Sequence, residues 1–181
     1  MTGQLPSAEV FIATSMDGYI ARPDGDILWL TSRPVPEGED FGYATFLDGV
    51  VAMVMGRESF ERVLTFPEWP YNVPVVVLSR TPERVTVPDA LKDKVRVSGR
   101  GPRAVLEEFG LRGVTRVYID GGQTIRNFVA EGLVRRMIVT LIPVLLGQGR
   151  ALWGHGAGDV NLTLVASRNW ENGFVQVEYK V

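Results

Sequence analysis

The chain has 181 residues, 45% of them hydrophobic and 22% charged, with a formal net charge of −2. This balance suits one globular domain, expected over residues 1–181, and leaves no basic footprint for nucleic acid or an anionic membrane. Cysteine is absent and there is a single histidine, which removes disulfides, zinc-thiolate sites, iron–sulfur clusters and cysteine nucleophiles together.

Residues 10–14 are an apolar run that predicts a buried strand. Two Asp-Gly pairs, Asp17-Gly18 and Asp24-Gly25, mark turns. Residues 32–40 hold two prolines and a glycine and predict a loop, and residues 41–47 have helical apolar spacing. The continuous apolar run 50–55 predicts a strand buried on both faces. Gly56 breaks it and residues 58–64 predict a helix. A second apolar run covers 73–78, and 95–97 suit a short strand. Residues 102–109 predict a helix with Pro102 in its first turn. A strand at 114–119 ends at Gly121-Gly122, and a helix over 124–131 is stopped by Gly132. Residues 137–146 predict a long apolar strand, in which Pro143 points to an edge or bulge. Segments 161–167 and 174–179 alternate about a turn and predict a closing hairpin. This order implies an α/β fold: a twisted, mostly parallel mixed sheet with helices on both faces and a C-terminal antiparallel hairpin. Ligands on such sheets bind beyond the carboxyl ends of the strands.

Three strand ends carry candidate chemistry. Gly56 lets a backbone approach a ligand, the amides that follow it suit a phosphate, and Arg57 adds a bidentate contact; an ordinary strand-to-helix turn also fits. Ser79 and Arg80 suit an additional phosphate, such as that on the ribose of NADPH; a plain polar strand end fits as well. Gly121, Gly122, Gln123 and Thr124 offer a backbone cradle at a helix start, with a simple glycine turn as the alternative. Neither a spaced Gly-x-Gly-x-x-Gly fingerprint nor a Gly-Lys-Ser loop is present, so a standard Rossmann site and nucleotide hydrolysis are not expected. His155, among glycines, is expected to be a loop residue.

In order along almost the whole chain, several segments resemble a known family. Ser15-Met16-Asp17-Gly18-Tyr19-Ile20-Ala21 is similar to the opening turn of the reductase domain of bifunctional riboflavin-biosynthesis deaminase/reductases. Met55-Gly56-Arg57-Glu58-Ser59 is similar to a segment shared with dihydrofolate reductases. Leu78-Ser79-Arg80, Asp120-Gly121-Gly122, Gly132-Leu133-Val134 and Pro143-Val144-Leu145-Leu146-Gly147 resemble further segments of the riboflavin branch. The resemblance implies a dihydrofolate-reductase-like fold, NADPH as cofactor, and hydride transfer to a C=N or C=O of a pyrimidine- or pterin-like small molecule, as in 5-amino-6-(5-phosphoribosylamino)uracil reductase. Dihydrofolate reductase proper and a non-catalytic nucleotide-binding protein remain alternatives.

Carried across residue by residue, the resemblance puts Ala13 and Ile20 by the nicotinamide and Gly56, Arg57 and Ser59 on the adenosine side. Ser79 and Arg80 fall to the 2′-phosphate, and Gly121, Gly122, Gln123 and Thr124 to the pyrophosphate. Asp40, sixteen positions before Gly56 (56 − 40), corresponds to the acidic residue that assists catalysis in dihydrofolate reductases; a helix N-cap is the alternative. Trp29 is read as a core aromatic. The resemblance also implies a homodimer paired through late strands. No apolar run reaches membrane-span length, and residues 1–6 lack a basic region followed by an apolar one, so a cytoplasmic location is expected. With no cysteine the chain is not expected to deaminate.

Overall fold

A computed structural model describes residues 4–154 and 158–181. In chain order its first elements are β1 (Ser7–Ser15), β2 (Tyr19–Ala21), α1 (Leu28–Thr31), α2 (Tyr43–Leu47), β3 (Ala52–Gly56), α3 (Arg57–Val63) and β4 (Val75–Leu78). They are followed by β5 (Val95–Ser98), α4 (Pro102–Leu111), β6 (Arg116–Asp120), α5 (Gly122–Ala130), β7 (Val134–Ile142), β8 (Arg150–Ala151), β9 (Thr163–Asn169) and β10 (Val175–Lys180). Eight strands make one sheet in the order β5-β4-β3-β6-β1-β7-β10-β9. From β5 to β7 every pairing is parallel, and only β10 runs against its neighbours. The remaining strands, β2 and β8, form a separate antiparallel ribbon.

The period of two along each strand sorts its side chains between two cores. Ala52 and Val54 face one side, where α4 and α5 supply Val105, Leu106, Phe109, Ile125 and Phe128. Met53 and Met55 face the other, against Phe46 of α2 and Phe60 of α3. With helices on both faces no residue of the run 52–55 reaches water, which is why it reads as unbroken apolar sequence. A buried Phe or Ile here contributes about 1.5–3 kcal/mol. A third cluster of Trp29, Ile142 and Phe174 lies under the loops, with Ala13, Phe41 and Trp170 packed against it. Glu9 is the charged exception in β1. It accepts from Arg116 at 2.8 Å and Arg136 at 3.2 Å, and Arg136 also pairs with Glu178 at 2.8 Å, so β6, β1, β7 and β10 are tied by one network.

Three expectations need correction. The late strand runs over Val134–Ile142 rather than 137–146, because Arg135 and Arg136 continue the ladder beside β1 and Pro143 lies just after its end, not within it. The first strand begins three residues early, at Ser7, where it pairs with Arg116. The β2–β8 ribbon was not expected: two pairs of residues hold no periodicity to read.

Candidate active site

The three strand ends singled out in the sequence come together. β3 lies between β4 and β6, with Gly56 in register beside Leu78 and Met55 beside Asp120. Gly56 therefore opens α3 next to the Gly121-Gly122 turn that opens α5. A Cβ added at Gly56 would stand 2.9 Å from Thr124 Oγ1, and one added at Gly121 would collide with the Ser59 hydroxyl. Gly121 has a φ of +89°, a conformation that side chains rarely adopt. The two turns thus meet backbone to backbone, with the Ser59 and Thr124 hydroxyls between them. Arg57 is exposed and lies 3.7 Å from Glu61. Ser79 follows Leu78; its hydroxyl accepts from the Thr81 N–H at 3.1 Å, and Arg80 beside it is exposed.

This constellation fits a dinucleotide phosphate cradle on its own chemistry. It offers main chain at two helix starts, the two hydroxyls packed between them and two exposed guanidiniums. Ile20 belongs to the same place, since a Cβ on Gly122 would come within 2.9 Å of its Cδ1. Ala13 instead packs on the third cluster with Phe41 and Trp29. Gln123 is engaged within α5: its amide nitrogen donates to Asn127 at 2.8 Å and its oxygen accepts from Arg126 at 2.9 Å.

Asp40 does not join the cradle. It is exposed, and its two oxygens accept from Gly42 at 2.8 Å and Ala44 at 2.7 Å, capping α2. The Ala44 N–H first, then the Gly42 N–H, hold its carboxyl below the usual range. The cap accounts for this carboxylate as it stands. The turn after it is strained, since Phe41 has a φ of +57°. Glu39 accepts the Phe41 N–H at 2.6 Å and the Trp170 Nε1–H at 2.7 Å, and Gln176 donates to the Phe41 carbonyl at 3.0 Å, so the C-terminal hairpin holds the turn in place. Asp17 is a clamp: it accepts from Ser15 Oγ, Leu146 N and Gly147 N. Trp29 is 7% exposed and belongs to the core, and its Nε1–H has no protein partner among the described residues. His155 lies outside those residues.

The carboxylate that sequence reasoning missed is Asp120. It ends the apolar strand β6 directly before Gly121. Loss of hydration pushes its pKa up, against the opposing pull of the Gly121 N–H and the Ser59 and Tyr118 hydroxyls. Three phenols gather around it. Tyr118 donates to the Phe11 carbonyl at 2.9 Å, and burial followed by the Asp120 charge raises Tyr71 and Tyr118 and pushes Tyr43 up to about 12. Asp120 therefore stands among neutral tyrosines, directly before the Gly121 turn. The signal was present in the sequence: an acidic residue at the tip of an otherwise apolar strand, before paired glycines.

The chain matches the RibD C-terminal domain model over residues 6–176. It is 31% identical to the uncharacterised Bacillus subtilis protein YwjB over 175 residues, covering 94% of this chain and 95% of that one. A crystal structure of a proposed riboflavin biosynthesis protein from Shewanella sp. PV-4 superposes with a TM-score of 0.89 at 37% identity, covering 96% of this chain and 98% of that one. The bifunctional deaminase/reductase of Thermotoga maritima shares the fold at a TM-score of 0.72 and 14% identity, covering 97% of this chain and 56% of its own.

Proposed function

This chain belongs to the RibD C-terminal domain family, and from that premise we propose that it is an NADPH-dependent reductase of a pyrimidine- or pterin-like heterocycle. The observation that carries the reading is the meeting of the Gly56 and Gly121 turns at the ends of β3 and β6, beside Arg57 and Arg80. Bound NADPH supplies a hydride to a C=N or C=O of the substrate. The chain holds the dinucleotide through backbone at Gly56, Gly121 and Gly122 and through the Ser59 and Thr124 hydroxyls. Ser79 and Arg80 stand where a 2′-phosphate distinguishes NADPH from NADH.

Reduction of C=N or C=O needs a proton on the heteroatom beside the carbon that takes the hydride. Asp120 is the group we assign to that proton: it ends β6 directly before the Gly121 turn, and loss of hydration shifts it toward its neutral form. Dihydrofolate reductase proper has less support, because the carboxylate that reading needs, Asp40, is engaged with two backbone amides. The test is NADPH oxidation, followed at its absorbance, with a panel of aminopyrimidines and pterins. Asp120→Asn is expected to cost roughly 10²–10⁴-fold in turnover. It is also expected to stabilise the fold at pH 7, read as a rise in Tm: a carboxyl whose folded pKa is raised loses stability as pH climbs above the unfolded value of 3.8, and the amide does not. Full turnover in Asp120→Asn would remove Asp120 from the mechanism. No oxidation with any of the panel would favour a binding protein.

We also propose a homodimer paired through the late strands. β9 is the sheet edge, and Leu164 and Val165, adjacent and so on opposite faces, are both exposed. An apolar edge strand bare on both faces is a pairing site.

A further inference from the structure

The β2–β8 ribbon lies directly over the start of α5. A Cβ on Gly122 would meet Ile20 Cδ1 at 2.9 Å and the Ala151 carbonyl at 3.2 Å. Leu152 N–H donates to the Gly18 carbonyl at 2.8 Å, and Arg126 of α5 donates to the Ala151 carbonyl. From this ribbon Arg150 reaches across to α3. Its Nη1 stands 2.7 Å from Glu58 Oε2, while its Nε donates to the Pro23 carbonyl at 3.4 Å. Glu58 is in the first turn of α3, two residues past Gly56. The ion pair therefore joins the ribbon to α3, the two parts of the chain that flank the cradle.

The placement of Glu58 is at odds with an anion site. A carboxylate in that turn repels an incoming phosphate, and here a guanidinium from another segment neutralises it. An exposed ion pair is weak, because water and salt screen it and two flexible side chains must be held. A guanidinium on a phosphate is charge-assisted and matches it with two parallel N–H donors. A phosphate therefore out-competes Glu58 for Arg150. We propose that Arg150 is a phosphate ligand of the bound dinucleotide and that Glu58 occupies it in the free protein, so that cofactor and carboxylate compete for one guanidinium. This assignment rests on the NADPH reading above. It gives the ribbon a function: the segment that covers α5 brings its own cation to the cradle when the cofactor arrives.

The test is equilibrium binding of NADPH, with inorganic pyrophosphate as a second probe, at one fixed salt concentration. Glu58→Gln frees Arg150 and is expected to tighten NADPH about two- to fivefold, the scale of an exposed ion pair. Arg150→Ala is expected to weaken it roughly 10- to 150-fold. In the double variant, Glu58→Gln with Arg150→Ala, the tightening disappears, because nothing is left to release. Arg150→Lys keeps the charge without the fork and is expected to fall between, which retains a readout should the alanine variant fold poorly. Unchanged or weaker binding in Glu58→Gln, or equal tightening with and without Arg150, overturns the proposal and leaves the NADPH reading standing. A wild-type protein that binds neither NADPH nor pyrophosphate overturns both.

Discussion

The two halves of the sheet use their residues differently. From β4 through β3 to β6 the strands are covered by helices on both faces, and their carboxyl ends present bare backbone, hydroxyls and arginines. Toward β10 and β9 the burial falls away, the edge strand β9 is exposed on both faces, and distant segments are held by side chains, as Glu39 is by Trp170. The first half builds a binding surface from main chain and needs glycine. The second builds restraint and contact surface from side chains and tolerates polar residues within its strands, such as Arg136, Gln176 and Glu178. On the reading proposed above, the cofactor falls to one half and the partner copy to the other.

The sharpest way to break this division is at Gly121. Gly121→Ala forces a side chain into a φ of +89° and against the Ser59 hydroxyl. It is expected to cost about 2 kcal/mol or more in stability, read from denaturant midpoints, and at least about tenfold in NADPH affinity. Wild-type affinity in this variant would mean that the glycine turns are only packing. Leu164→Glu probes the other half. Leu164 is 57% exposed, so the substitution costs a monomer almost nothing, within about 0.5 kcal/mol. If β9 pairs with a second copy, sedimentation at micromolar concentration is expected to show a dimer in the wild type and a monomer in the variant, with NADPH affinity retained. A wild-type monomer would contradict the pairing.

Legibility followed the same divide. The first half was readable because its signals are local: unbroken apolar runs for two-faced strands, and glycines where those runs stop. Gly56, Gly121, Gly122 and Thr124 followed from that punctuation, and Ser59 from the family resemblance. What escaped depended on long-range pairing. Arg150 matters through Glu58, 92 positions away, and no periodicity links them. Arg135 and Arg136 fell outside the expected strand 137–146, yet Arg136 lies within β7, where Glu9 and Glu178 neutralise it. Asp40 was legible as acidic and helix-initiating, but cap and catalyst leave the same mark in sequence; the structure shows its oxygens on the Gly42 and Ala44 amides. Asp120 was overlooked because the glycines after it drew the reading.

The central claim is that the strand ends of the covered half hold NADPH. Its most direct test is titration calorimetry of NADPH and NADH against the wild type and Arg80→Ala. The wild type is expected to prefer NADPH. Arg80→Ala is expected to lose about 1.5–3 kcal/mol, roughly 10- to 150-fold, for NADPH alone, because the charge-assisted contact it removes is to the phosphate NADH lacks. Equal affinities for the two cofactors in the wild type, or equal losses in the variant, would contradict the account.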